Sequence, residues 1–188
     1  MKQSNRRAVI SGTVCLMVIC FVVTLTVAGT RFIFKDKIAA QEWQNTEQSM
    51  NRILKADSYE NLSTDDEEKA YAALDRNGEI LGYIFITEAY GYGSMISVMS
   101  GISAGEVMGI EILDCTNETP GLGQNVAEVS FKNQFSGLTS NPEVTKTEKK
   151  TADQVEAVTG ATKSSVAVAE AVGIALSRYQ EHVDSVVK

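Results

Sequence analysis

Near its C-terminal end the chain reads Thr159-Gly160-Ala161-Thr162-Lys163-Ser164-Ser165, directly ahead of the run Val166-Ala167-Val168-Ala169-Glu170-Ala171-Val172. Small hydroxylated residues before a helix-forming run mark a helix N-terminus. The first turn of a helix leaves backbone N–H groups unpaired, and the macrodipole places partial positive charge there. A phosphate at that point is stabilised by both effects, and Lys163 adds a full cation beside it. Gly160 and Ala161 put no bulk next to Thr162, so its hydroxyl is open to approach. A threonine hydroxyl is a poor nucleophile unaided, so a phosphoester formed on it requires a separate enzyme supplying a base or a metal. The competing reading is an ordinary capping segment with no ligand.

A second stretch, Glu118-Thr119-Pro120-Gly121-Leu122-Gly123, pairs proline with two close glycines. That combination makes a rigid bend beside bare backbone. Bare backbone suits a flat ring system, because it permits close stacking and offers N–H groups to ring oxygens. An ordinary turn would look the same. Tyr90-Gly91-Tyr92-Gly93-Ser94 reads as a flexible aromatic-glycine loop; a glycine-flanked tyrosine is more often a plain turn residue, and stacking of Tyr90 or Tyr92 on a ring is the weaker alternative.

The composition narrows the classes. The formal net charge over 188 residues is −7, which argues against nucleic acid, where a basic patch is expected. Three cysteines make no disulfide framework. Cys15 and Cys20 lie inside an apolar run, where a cluster shared with cysteines from elsewhere is the minor alternative; only Cys115 falls in the soluble part. No Cys or His spacing matches a zinc or iron–sulfur site. The single histidine, His182, reads as a solvated helix-end residue.

The elements that must position these stretches begin at a membrane. After a short N-terminus, residues 1–7, Ala8 to Gly29 carries no charge. At about 1.5 Å per residue the run spans about 33 Å, enough for a bilayer core. A cleaved signal peptide competes, but its apolar core is usually about 7–15 residues. Orientation is undecided by charge: Lys2, Arg6 and Arg7 precede the run, and Arg31, Lys35 and Lys37 follow it. Ser11, Gly12, Thr13, Thr24, Thr26 and Gly29 are small residues of the kind that pack membrane helices together.

Residues 30–69 read as a helical linker, with helix from Phe32 to about Asn61 and an acidic loop from Ser63 to Lys69. Residues 70–188 read as one domain. Ala70 to Leu74 and Glu79 to Thr87 form a hairpin around Asn77-Gly78, and Met95 to Ser100 and Glu106 to Leu113 add two strands. These four suggest an antiparallel sheet with one buried face. Asn125 to Phe135 reads as a short helix with Val126, Val129 and Phe131 apolar; Leu138 to Lys150 as loop; Val155 to Val158 as a short strand. A closing helix from about Ser164 to Val183 puts Val168, Val172, Leu176, Tyr179 and Val183 on one face. The fold class is α+β: an N-terminal transmembrane helix, then an antiparallel sheet packed by helices.

A transmembrane anchor, then GYG, ETPGLG and TGAT with a helix behind it, resembles the FMN-binding G subunit of the bacterial Rnf complex over nearly the whole chain. It is more distantly similar to the C subunit of the sodium-pumping NADH:quinone oxidoreductase, which is usually longer. The resemblance implies that Thr162 carries FMN through a phosphoester added by a dedicated flavin transferase. It implies that Thr159, Gly160, Ala161, Lys163 and Ser164 surround the phosphate, and that Glu118, Thr119, Gly121, Leu122 and Gly123 line the ring. It further implies an N-in topology with the flavin domain outside the cytoplasmic membrane, and electrons relayed from ferredoxin to NAD⁺ among partner subunits, coupled to Na⁺ or H⁺ export. On its own the protein would bind no diffusible substrate; catalysis would belong to the translocating complex. Two departures stand out: Glu156 where the family usually has aspartate, and Cys115-Thr116-Asn117 where a histidine often precedes ETPGLG. The alternative from another class is a non-redox, membrane-anchored binding module.

Overall fold

The computed structural model describes residues 2–62, 69–148 and 150–186. It divides into two compact units, Met1–Thr46 and Glu47–Lys188.

The first unit is helix. α1 runs Lys2–Ile53, and within it Ile10–Phe32 has a mean hydropathy of 2.4 and is not buried against protein. That stretch is long and apolar enough to cross a membrane. Its threonines do not leave polar atoms loose: Thr24 and Thr26 donate back to the carbonyls of Cys20 and Val22, each at 2.8 Å. Such bonds to the preceding turn satisfy hydroxyls in an apolar setting.

In the second unit a five-stranded antiparallel sheet has the order β1-β2-β3-β4-β5. The strands are β1 Ser58–Asn61, β2 Lys69–Leu74, β3 Ile80–Tyr90, β4 Met95–Ser103 and β5 Glu106–Asp114. β1 corrects the sequence reading, which continued the linker helix to Asn61. The helix stops at Ile53, and Ser58 to Asn61 pairs with β2 from Ser58↔Leu74 to Asn61↔Tyr71. Only Tyr59 of its four residues joins a core, so no apolar alternation announced it. Residues 63–68, read as an acidic loop, lie outside the described residues.

Period-2 alternation sends the two faces of the sheet to different partners. Phe85, Val98, Ile102 and Val107 face a core completed by Val168, Val172 and Leu176, which lie on α3, Thr162–Val186. Ile84 and Met99 face the other way, onto Met50 at the end of α1, with Ile53 and Leu54 beside it. Gly101 permits that approach, since a Cβ there would collide with Ile53. The sheet is therefore sandwiched, whereas one buried face was expected.

The segment after β5 is less regular than a single helix. It is a 3-10 turn at Gly123–Ala127, α2 at Val129–Lys132, and a second 3-10 turn at Asn133–Phe135. Val126, Phe131 and Phe135 are buried, but Val129 is 63% exposed, so it is not a core position. The stretch read as loop contains β6, Glu143–Thr145, which pairs in parallel with β7, Gln154–Glu156. β7 leads directly to the TGAT segment. His182 is not simply solvated: its ring meets the edge of Tyr83 at 5.0 Å between centroids.

Candidate functional site

Two similar turns build the site. In the first, the N–H of Leu122 donates to the Thr119 carbonyl at 3.1 Å, and Gly121 has φ +72°. In the second, the N–H of Ala161 donates to the Val158 carbonyl at 2.9 Å, and Gly160 has φ +79°. An i to i+3 bond with positive φ at the third residue is the pattern of a type II turn, and glycine is the residue that tolerates it. The turns touch: a Cβ on Gly160 would lie 3.0 Å from Leu122 Cδ2.

The second turn delivers the chain straight into α3, which begins at Thr162 rather than at Ser164. Ser165 fixes the entry. Its hydroxyl accepts from the Val158 N–H and donates to the Ala161 carbonyl, both at 3.0 Å. Thr162 therefore stands in the first turn of a long helix, where backbone N–H groups lack intrahelical acceptors.

Tyr92, Thr119, Leu122, Gly123, Gly160, Ala161, Thr162, Lys163 and Ser164 line a cleft of about 480 Å³. That lies within the range of roughly 300–1,000 Å³ usual for small-molecule sites. Lys163 is its cation, with Nζ 5.7 Å from the centroid of the Tyr92 ring. Tyr92 itself is 66% exposed and Leu122 43%, so the cleft has an aromatic and apolar mouth.

Glu118 is placed differently from a ring-lining residue. It is 2% exposed and lies beneath the cleft wall. Its Oε1 accepts from the N–H groups of Gly93 and Ser94 at 2.9 and 3.3 Å. Its Oε2 accepts from the Tyr92 N–H at 3.2 Å and from the Ser164 hydroxyl at 2.6 Å. Burial pushes this carboxyl up, but the Ser164 and backbone bonds outweigh it and hold it below the usual glutamate range. The same bonds correct the picture of a flexible GYG loop: residues 91–94 form a turn closed from the Gly91 N–H to the Ser94 carbonyl at 2.8 Å and pinned by Glu118.

Of the residues singled out by sequence for the phosphate and the ring, the fold brings most to the cleft. Thr119, Leu122, Gly123, Gly160, Ala161, Thr162, Lys163 and Ser164 make the wall, while Thr159 and Gly121 sit exposed on the two turns. The Ser164 hydroxyl is committed to Glu118, which leaves its N–H for a ligand. Glu156 is exposed, and its N–H is held by Gln134 Oε1 at 2.8 Å. Thr116 is exposed, with its carbonyl accepting from Gln124 Nε2 at 2.8 Å. Burial first, then Asp114 and Glu118, push the Cys115 thiol up, the opposite of a reactive thiolate. The sequence reading missed the Glu118 anchor; its trace is the glycine density on both sides, at Gly91, Gly93 and Gly123.

The donors present suit a flavin phosphate: first-turn N–H groups, an adjacent ammonium, and a cleft with an aromatic and apolar mouth for a ring. Residues 91–177 match the FMN-binding domain family, and this part of the chain is an FMN-binding domain. The chain is 30% identical to the G subunit of the Na(+)-translocating ferredoxin:NAD(+) oxidoreductase complex of Acetobacterium woodii, over 95% of each chain. It is 27% identical to the G subunit of the proton-translocating ferredoxin:NAD(+) oxidoreductase complex of Clostridium ljungdahlii, over 91% of each. Among solved structures, the C subunit of the Na(+)-translocating NADH-quinone reductase from Parabacteroides distasonis shares the fold, with a TM-score of 0.51 and 24% identity over 60% of each chain. The chain belongs to the family of G subunits of ion-translocating ferredoxin:NAD oxidoreductase complexes.

Proposed function

We propose that this protein is a membrane-anchored flavoprotein that carries FMN on Thr162 through a phosphoester and relays electrons within an Rnf-type complex. The observation that carries the reading is the position of Thr162, which lines the cleft and opens α3. A phosphate esterified to that hydroxyl meets the first-turn N–H groups and the Lys163 ammonium. Thr119, Leu122 and Gly123 offer the ring a bare-backbone wall, and Tyr92 faces it from the other motif. When bound, the flavin supplies one- and two-electron transfer, and the protein supplies position and electrostatics. Among the described residues no histidine or carboxylate lines the cleft beside Thr162, so a flavin transferase installs the group. The relatives named above belong to complexes that couple ferredoxin and NAD⁺ chemistry to Na⁺ or proton translocation; in the same role this chain works beside other membrane and peripheral subunits. The helix at Ile10–Phe32 holds it in the cytoplasmic membrane, N-terminus inside and flavin domain outside. A covalent tether suits that side, because FMN that dissociated there would be lost by dilution, and it keeps the ring at high effective concentration in its cleft.

The test is the intact mass of the full-length, detergent-extracted chain, made with and without a co-expressed flavin transferase. The expected result is a gain of one FMN less one water that requires the transferase and disappears in Thr162→Ala. No gain beside an active transferase overturns the tether and leaves the TGAT segment as a helix cap.

A further inference from the structure

We propose that Glu118 is the positioning residue of the cleft: its ionised carboxylate fastens the Tyr92–Ser94 turn to the first turn of α3, and so sets where Tyr92 and Lys163 stand over Thr162. The three motifs are far apart in sequence, and this one side chain joins them. It leaves the ETPGLG stretch, takes three backbone N–H groups from the GYG turn, and takes the Ser164 hydroxyl from α3. Lys163, the neighbour of Ser164, then lies over the Tyr92 ring. Glu118 does not line the cleft, so it acts through these residues and not by touching a ligand.

The chemistry of the four donors requires a carboxylate. The three backbone N–H groups can only donate, and the Ser164 hydroxyl donates at 2.6 Å. A buried acceptor with four donors aimed at it is stabilised as an anion. The surroundings are shaped to it. A Cβ on Gly91 would lie 2.6 Å from Oε1, and one on Gly123 would lie 2.8 Å from Oε2. Glutamine has the same shape but only one acceptor oxygen. Whichever way the amide turns, its NH₂ meets a backbone N–H: those of Gly93 and Ser94 in one orientation, that of Tyr92 in the other. Glu118→Gln therefore removes an acceptor and adds a donor–donor contact without changing the volume.

The experiment uses the full chain in detergent, with two readouts. Without flavin, hydrogen exchange of the amides of Tyr92, Gly93 and Ser94 is compared with that of the β2–β3 hairpin. Losing a buried acceptor leaves backbone donors unpaired, so Glu118→Gln is expected to speed exchange at the turn by about fivefold or more, with the hairpin unchanged. With flavin attached, the visible-region circular dichroism of the ring is expected to change in the variant, because Tyr92 and Lys163 shift. Unchanged exchange at residues 92–94 overturns the proposal. Faster exchange with an unchanged flavin spectrum also overturns it, since Glu118 would then be a structural clamp only. If Glu118→Gln does not fold, Ser164→Ala removes the hydrogen bond that ties Glu118 to α3. It is expected to change the flavin spectrum while the turn keeps most of its protection, and a spectrum identical to wild type overturns the proposal. The spectral arm rests on the flavin reading above; a wild-type chain that accepts no flavin refutes that reading and leaves hydrogen exchange to decide the clamp.

Discussion

Thr87 on β3 donates its hydroxyl to the main-chain carbonyl of Ala171 on α3 at 2.8 Å, inside the core. Both residues are buried, and the bond crosses from the sheet to the helix whose first residue is Thr162. Apolar packing is tolerant of small slides, whereas a hydrogen bond is directional. The bond therefore fixes the level at which α3 lies on the sheet. Thr87→Val keeps the shape and removes the donor. A net loss of about 1 kcal/mol is expected, seen as a lower denaturant midpoint with an unchanged m-value. An unchanged midpoint would mean that side-chain packing alone sets the level.

The β4–β5 hairpin carries strain that can be relieved. Ser103 pairs with Glu106, leaving Ala104 and Gly105 as a two-residue turn with φ of 52° and 81°. Positive φ at both positions matches a type I′ turn, which favours Asn-Gly. Alanine in the left-handed region costs roughly 1–2 kcal/mol. Ala104 is exposed, so replacement disturbs no packing. Ala104→Asn is expected to raise stability by about 0.5–1 kcal/mol, read as a higher melting temperature of the full chain.

Much of the sheet was legible because its signals are local. β2 to β5 are short runs rich in apolar and β-branched residues bounded by turn residues, and the hairpin at residues 75–79 was announced by Asn77-Gly78. Even there the turn has its own chemistry. Gly78 alone takes positive φ, at +82°, and Asp75 Oδ1 accepts from the N–H groups of Asn77 and Glu79, each at 2.8 Å. It is a longer, aspartate-nested turn and not a two-residue Asn-Gly one. What escaped the sequence is non-local. β1 has one apolar residue to show, and β6 and β7 are three residues each, paired in parallel across an intervening loop. In the site, the Thr162 stretch reads as a phosphate site from local physics. That it meets the Glu118 stretch is a fact of the folded chain, and a glutamate ordinarily belongs on the surface, so its burial had no local sign.

At the β5 edge, Lys132 Nζ bonds both oxygens of Glu111, at 3.0 and 2.9 Å, with side chains only 14% and 20% exposed. A pair that is largely out of water depends on both members. Lys132→Met strands the carboxylate and is expected to cost about 2 kcal/mol. The double variant Glu111→Leu with Lys132→Met is expected to recover most of that loss. Equal and additive losses in the cycle would show that the two charges act independently.

Glu118 also predicts an acid limb. Its folded carboxyl is held below the ordinary range, with burial opposing and the Ser164 and backbone bonds prevailing. The unfolded chain therefore takes up the proton first as pH falls. The stability this group contributes is complete above its unfolded value, roughly 4.3, and is lost as pH drops through the lower folded value. Asp75 and Asp114 are lowered too, each mainly by backbone N–H bonds, to Glu79 and Thr116 respectively, so Glu118 shares the wild-type curve with them. Chemical denaturation between about pH 3 and 7 is expected to give a shallower acid limb in Glu118→Gln than in wild type. Parallel limbs would show that Glu118 does not carry the acid sensitivity.

Gly160 is where backbone and cleft meet. Its φ of +79° lies in the left-handed region, and a Cβ would press to within 3.0 Å of Leu122 Cδ2. Gly160→Ala adds left-handed strain of about 1 kcal/mol and pushes the two turns apart just ahead of Thr162. The loss of stability is expected to be modest, because both turns are exposed and the core beneath α3 is untouched. The loss of flavin attachment is expected to be larger, since the Thr162 hydroxyl and the first-turn N–H groups move away from the Leu122 wall. The two effects separate by measuring the melting temperature and the flavinylated fraction on the same preparation. A variant that melts lower yet is flavinylated as fully as wild type would show that the turn serves only the fold, and that Thr162 reaches the transferase without the wall formed by Leu122.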